Sequence, residues 1–97
     1  MMADNSELDV VLHQPLRTRI VAYLSTREEA TFTELKKLLD VTDGNLEAHI
    51  KKLRSAEYVV THKVKGEGRP QTFYCLTELG KKTFREYVEQ LQNLLNI

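Results

Sequence analysis

The chain has 97 residues, which leaves room for one domain with a single small core, since domains usually contain about 100 to 150 residues. Apolar residues make up 41% and charged residues 29%, which is typical of a soluble globular protein, while the net charge of zero argues weakly against a nucleic-acid partner. No segment approaches the roughly 20 apolar residues of a membrane span, and residues 1–9 are acidic and polar, so we expect a cytoplasmic protein without a membrane partner.

The first part of the chain predicts two helices with a short strand between them. Pro15 suits the first turn of a helix, and apolar residues at helical spacing extend this helix to about residues 25–27. Residues 30–32 favour a short strand. Thr33 is then a good N-cap for a second helix over residues 34–39.

A third helix follows after a turn of three or four residues. Thr42 offers an N-cap, and Leu46, Ile50 and Leu53 form the apolar stripe of a helix that ends at about residue 55 or 56. Two short helices joined in this way form a helix-turn-helix, at about residues 33–56, in which the first helix braces the second against a DNA groove. Helix pairs of this kind are common, so the pattern alone is weak evidence for function.

The last part predicts a β-hairpin and a long helix. Two runs rich in β-forming residues, 58–65 and 72–76, flank a turn that contains glycines and Pro70. Thr77 can cap a final helix over residues 78–95. The apolar residues on one face of that helix are Leu79, Phe84, Val88, Leu91 and Leu95.

Cys75 is the only cysteine, which excludes an intrachain disulfide and a thiolate metal cluster. We expect it to be a small buried residue in the second hairpin strand.

The charged residues are unevenly distributed. Residues 1–48 contain five Lys and Arg against nine Asp and Glu, residues 49–72 contain six against two, and residues 73–97 contain three of each. A central basic block on a neutral chain is expected if one face contacts phosphate. A solvated basic face without a partner accounts for the charges equally well.

Several short motifs occur in an order that covers about residues 8 to 95. They are Val41-Thr42-Asp43-Gly44-Asn45-Leu46 with His49 and Leu53, Tyr58-Val59, Gly68-Arg69-Pro70, and Thr72-Phe73-Tyr74-Cys75-Leu76-Thr77 with Gly80. In this order the sequence resembles the small MarR/ArsR-like winged helix-turn-helix transcriptional regulators of prokaryotes. The resemblance implies an α+β, mainly helical fold with a three-helix core, a β-hairpin wing at about residues 58–76 and a C-terminal dimerisation helix at about residues 78–95.

The same resemblance implies a homodimer that binds double-stranded DNA and regulates transcription. The third helix enters the major groove, and the wing lies over the backbone or the minor groove. The cysteine pair with which metal-sensing ArsR relatives hold zinc or arsenic has no counterpart here, because Cys75 stands alone in the wing. The chain has no room for a separate sensor domain, and the sequence does not indicate a small-molecule effector.

The side of the third helix opposite its apolar stripe carries the residues expected to face the DNA. Asn45 can pair with adenine, Ala48 can contact a thymine methyl group, and the nearby lysines can reach guanine or phosphate. In the wing, Arg69 suits a narrow minor groove or a phosphate. The candidate DNA-binding residues are Thr42, Gly44, Asn45, Ala48, Lys51, Lys52, Ser55, Lys63, Lys65 and Arg69. The alternative to DNA contact is helix capping for Thr42 and Asn45. For the lysines it is exposure to solvent without a partner.

No pattern supports a catalytic, metal or cofactor site. His49 and His62 have no third ligand at a suitable spacing, and Gln71 stands where a dinucleotide loop would have its third glycine. We therefore expect neither an enzyme nor a bound cofactor. The rival hypothesis is a winged helix that binds another protein, which the acidic residues Asp43 and Glu47 near the third helix would suit.

The final helix has more apolar residues than one small core is expected to need. Their spacing matches a helix-packing seam, so we expect part of this surface, together with the N-terminal segment, to contact a second chain. The candidate interface residues are Leu8, Val11, Leu12, Phe84, Tyr87, Val88, Leu91, Leu94 and Leu95. The alternative is that the seam covers the first helix within the same chain.

Overall fold

Four helices and three short strands alternate along the computed structural model, which describes residues 8–66 and 68–96. The elements are α1 (Pro15–Ser25), β1 (Ala30–Thr31), α2 (Phe32–Leu39), α3 (Asp43–Ser55), β2 (Val59–Val64), β3 (Gln71–Leu76) and α4 (Glu78–Leu95). This order confirms the predicted winged helix-turn-helix, and the bounds of α4 are those predicted. The wing consists of β2, β3 and the turn between them.

The helices begin at side-chain caps. Thr42 Oγ1 accepts from the Asn45 backbone N–H, and Thr77 Oγ1 accepts from the Gly80 backbone N–H, as their sequence positions predict. The predicted N-cap Thr33 is wrong. Thr31 caps α2 instead, because Thr31 Oγ1 and the Glu34 carboxylate form a reciprocal capping box.

The three strands form an antiparallel sheet in the order β1-β3-β2. Val59 pairs with Leu76 and Thr61 with Tyr74, so that one face of the hairpin meets the helices. Val60 pairs with Cys75 on the other face. Cys75 is therefore half-buried and not fully buried as predicted.

The core lies between α1, α2, α3 and the inner face of the sheet. The most deeply buried side chains are Leu12, Ile20, Val21, Leu24, Leu35, Leu46 and Leu53. Leu79 does not share the buried face predicted for it and is 46% exposed. The buried stripe of α4 passes through Gly80 and Tyr87, which are seven residues apart, and Leu79 lies about 100° away from it.

The start of α4 is packed tightly against the hairpin. The Thr77 backbone N–H donates to the Tyr58 carbonyl oxygen at 3.0 Å, and a Cβ atom built on Gly80 would lie 2.3 Å from that same oxygen. Only glycine allows this approach. The contact sets the direction in which α4 leaves the sheet.

The segment before α1 is tied to the rest of the chain. Leu12 is fully buried, and the Tyr58 hydroxyl donates to Asp9 Oδ2 at 2.6 Å. Burial and this hydrogen bond raise the pKa of Tyr58 to about 12. The His13 Nδ1 and Tyr87 Oη atoms are 2.9 Å apart, which joins the segment to α4 as well.

Candidate nucleic-acid interface

Helix α3 has one buried and one exposed face. Leu46, Ile50 and Leu53 are buried, as the predicted stripe requires. The candidate contact residues of this helix and its cap are all exposed: Thr42, Gly44, Asn45, Ala48, Lys51, Lys52 and Ser55. The fold therefore leaves a continuous surface on α3 that a ligand can reach.

The capping of α3 occupies part of that surface. Thr42 Oγ1 accepts from the Asn45 backbone N–H at 3.2 Å, so Thr42 has the structural role that was its alternative. Its hydroxyl hydrogen remains able to donate to a phosphate oxygen. The Asn45 side chain is exposed in the first turn of the helix, where a base edge can approach it.

The basic residues of the wing are exposed, and Arg69 lines one groove with Glu47 of α3. Lys63 lies in β2, and Lys65 and Arg69 lie in the turn between the strands. Gly68 has φ of 98°, a conformation that side-chain-bearing residues rarely adopt, and it turns the chain directly before Arg69. Glu67, an acidic residue in the same turn, lies outside the described residues.

A groove of about 650 Å³ lies between α3 and the tip of the wing. Its walls come from three parts of the chain, namely the start of α2, Glu47 of α3, and the segment that enters β3. The lining residues include Phe32, Thr33, Glu47, Arg69, Gln71 and Thr72. Glu47 is not among the predicted DNA-contact residues, because its acidic side chain was expected to suit a protein partner rather than DNA.

The two acidic residues of α3 are in different surroundings. Lys36 Nζ of α2 lies 2.6 Å from Asp43 Oδ1, so the Asp43 charge is balanced by the neighbouring helix. Glu47 has no ion pair within the described part of the chain. It faces the groove opposite the wing.

His49 lies on the flank of α3 that faces α1. Arg17 Nη1 is 3.2 Å from His49 Nδ1, and Arg17 Nε donates to the Val11 carbonyl oxygen at 2.7 Å. A guanidinium only donates, so Nδ1 accepts and the imidazole is neutral. Burial, and then the Arg17 charge, lower the pKa of His49. Nothing in the sequence pattern indicated this link between α1 and α3.

His62 lies on the outer face of the wing. Its Nε2 is 3.2 Å from Glu29 Oε1, and its ring stacks on Phe73 with centroids 5.4 Å apart. In residues 8–66 and 68–96, no group of three or more His, Cys, Asp or Glu side chains is arranged to hold a metal ion.

The predicted interface residues fall into three groups by exposure. Leu12 and Tyr87 are 0% and 4% exposed and belong to the core of their own chain. Leu94 and Leu95 are 42% and 77% exposed. The remaining five are partly buried against the core: Leu8, Val11, Phe84, Val88 and Leu91. The middle of α4 therefore covers its own chain, as the alternative holds, whereas the end of α4 is exposed, and contact with a second chain stays a prediction.

Comparison with known proteins supports the assignment of the fold. The sequence model of the family described as "Winged helix DNA-binding domain" matches residues 16–95. An uncharacterised protein of Methanocaldococcus jannaschii is 36% identical over 84 residues, which are 87% of this chain and 91% of the relative. None of the helices in the described residues is long and apolar enough to cross a membrane.

Solved structures lead to the same family. A structure titled as a transcriptional regulator homologue from Pyrococcus horikoshii has a TM-score of 0.85 and 32% identity, covering 91% of this chain and 87% of that chain. HlyU from Vibrio cholerae has a TM-score of 0.65 and 26% identity, covering 87% and 91%. The predicted resemblance to winged helix regulators is confirmed, and the rival protein-binding hypothesis gains no support. The chain belongs to the winged helix DNA-binding domain family.

Proposed function

We propose that this protein is a homodimeric regulator of transcription that binds specific sites in double-stranded DNA. The observation that carries the proposal is the exposed face of α3 together with the exposed basic residues of the wing, of which Arg69 shares a groove with α3. The relative from Pyrococcus horikoshii, whose title names a transcriptional regulator homologue, supports the regulatory role. Helix α3 enters the major groove, and the wing contacts the backbone or the minor groove.

The residues of α3 have different tasks in this proposal. Asn45 and Ala48 read base edges, because both lie in the half of the helix nearest its N-terminus. Gly44 leaves space for the backbone to approach the bases. Lys51 and Lys52 reach guanine or phosphate, and Ser55 adds a phosphate contact at the end of the helix.

The wing and the cap of α3 hold phosphates. Arg69 has a planar fork of donors that fits a phosphate or a narrow minor groove. Lys63 and Lys65 add charge along the same edge. Thr42 donates its hydroxyl hydrogen to a phosphate near the N-terminal end of α3, where the helix dipole favours an anion.

The homodimer forms through the end of α4. Leu94 and Leu95 are exposed and are not packed on the core formed by the described residues, and Phe84, Val88 and Leu91 continue the apolar surface along the same helix. Leu12 and Tyr87 support this surface from within the core. Two-fold symmetry would place two α3 helices in major grooves one turn apart, so the DNA site is an inverted repeat with half-sites centred about 10 bp apart, or a multiple of it.

A salt titration tests the proposal. Binding to duplex DNA should be strong at low salt and fall by roughly 10³- to 10⁵-fold between 50 and 200 mM salt, if a dimer neutralises about six to ten phosphates. The double variant Lys51→Ala/Lys52→Ala should bind more weakly. The matched control is Lys81→Ala/Lys82→Ala, which removes the same charge from exposed positions of α4. A wild-type protein that fails to bind duplex DNA at low salt would favour the protein-binding hypothesis.

A further inference from the structure

Among the residues that the structure describes, Glu47 is the acidic side chain that faces the groove between α3 and the wing. Glu47 is exposed, and it lines this groove of about 650 Å³ together with Arg69 and Thr72 of the wing. The surface that the proposed function assigns to DNA thus has a carboxylate on the flank of α3 that borders this groove. A carboxylate close to phosphates is repelled, so its presence there needs a physical reason.

Glu47 differs from Asp43, which lies one helical turn earlier. The Asp43 carboxylate is paired with Lys36 at 2.6 Å, whereas Glu47 forms no ion pair with any residue that the structure describes. Tyr74 lines the same groove as Glu47. Burial raises the pKa of Tyr74, the Arg54 charge opposes this, and the Glu47 charge adds to it. The oxygens of Glu47 are therefore available to a ligand that enters the groove.

The position of Glu47 along α3 determines which part of the DNA this side chain can contact. It lies four residues before Lys51, on the same side of the helix, and next to Ala48 at the centre of the exposed face. In helix-turn-helix proteins the N-terminal part of this helix contacts base edges. Glu47 is the fifth residue of a helix of 13 residues, so a base edge is its expected neighbour.

The chemistry of the major groove then limits the base. A carboxylate only accepts hydrogen bonds, so it needs a donor. In the major groove, cytosine presents its 4-amino group and no acceptor. Adenine also presents an amino group, but its N7 acceptor lies next to it. Guanine and thymine present acceptors, which a carboxylate repels.

We propose that Glu47 is a specificity-determining residue that accepts a hydrogen bond from the 4-amino group of one cytosine in each half-site. This inference rests on the proposed DNA-binding function. Glu47 adds discrimination at that base pair while it lowers the affinity for DNA in general. A repulsive charge in a DNA-binding surface is useful when the correct base compensates for it and other bases do not.

Selection from a randomised duplex library tests the inference. The wild-type protein should enrich a motif with a cytosine at one position of each half-site. Glu47→Ala should lose that preference by about 5-fold or more and bind random DNA more tightly, while the rest of the motif is kept. Glu47→Gln should accept adenine as well, because an amide both donates and accepts. The control Glu28→Gln removes one exposed carboxylate outside the groove and should leave the motif unchanged.

A second measurement uses the wild-type protein alone. Replacing the selected cytosine by 2-pyrimidinone, which lacks the 4-amino group, should weaken binding by a similar factor. An unchanged motif in Glu47→Ala, or equal binding to both duplexes, overturns the inference while the proposed function stands. A wild-type protein that enriches no motif contradicts the proposed sequence-specific function itself.

Discussion

At the scale of single residues, base reading and phosphate binding can be separated. Asn45→Ala should weaken binding to the preferred site by about 1–3 kcal/mol and change random DNA binding little, because it removes a pairing to one base. Arg69→Ala should weaken binding to both DNAs. The dependence of the binding constant on salt concentration should fall by the amount that corresponds to about one phosphate contact per chain. Fluorescence anisotropy with the two duplexes at several salt concentrations measures both effects. An equal loss on both DNAs from Asn45→Ala would contradict base reading by Asn45, since only its backbone N–H takes part in the cap of α3.

His49 makes the stability of the chain depend on pH. Its pKa is lowered in the folded protein from the ordinary value of 6.5, so the unfolded chain takes up the proton first as the pH falls. The stability that neutral His49 contributes is complete above pH 6.5 and is lost as the pH falls through the lowered pKa of the folded protein. The free energy of unfolding should therefore decrease on acidification below about pH 6.5.

Urea denaturation between pH 7.5 and pH 5 measures this dependence. His49→Asn is the matched variant, because its side-chain oxygen can accept from Arg17 without titrating. It should lose less stability than the wild type over the same range. Identical pH profiles for the two proteins would contradict the role of His49, since His13 and His62 are present in both.

At the scale of elements, the junction between the hairpin and α4 depends on Gly80. Gly80→Ala should lower the free energy of unfolding by about 1–3 kcal/mol, because its Cβ would lie 2.3 Å from the Tyr58 carbonyl oxygen. Gly44→Ala in α3 is the control, since the Cβ atom that it adds has no neighbour within 4 Å. It should raise stability by about 0.5–1 kcal/mol. Thermal melts of the two variants that shift in the same direction would argue against a tight contact at Gly80.

At the scale of the whole molecule, α4 lengthens the chain to 55 Å against 25 and 21 Å in the other directions. Leu94→Glu/Leu95→Glu places two charges in the proposed interface without touching the core, because both leucines are exposed in the single chain. We expect a folded monomer with much weaker DNA binding. Val60→Glu is the control, since Val60 is 47% exposed on the outer face of the hairpin and is not among the candidate interface residues.

Light scattering at tens of micromolar protein decides the oligomeric state. A wild-type monomer, or a Leu94→Glu/Leu95→Glu variant that remains dimeric, would refute the interface at the end of α4. A variant at Leu91 would be a poorer test, because this side chain also packs against the core of its own chain.

The sequence by itself determined the order and type of the elements. Helical periodicity, β-rich runs and side-chain caps such as Thr42 and Thr77 act over a few residues, so they can be read locally. The exposed face of α3 followed from its apolar stripe. The cap of α2 was misplaced by two residues, because Thr31 and Thr33 are both good caps and only the Glu34 bond distinguishes them.

Only the tertiary structure decided which residues of distant segments meet. Leu12 and Tyr87 look like surplus apolar surface in the sequence, yet they fill the core, whereas Leu94 and Leu95 remain outside it. The groove that contains Glu47 forms between helix α3 and a wing more than twenty residues away. Burial and electrostatic neighbours depend on how the elements pack, and a pattern along one segment contains no information about the surface that will face it.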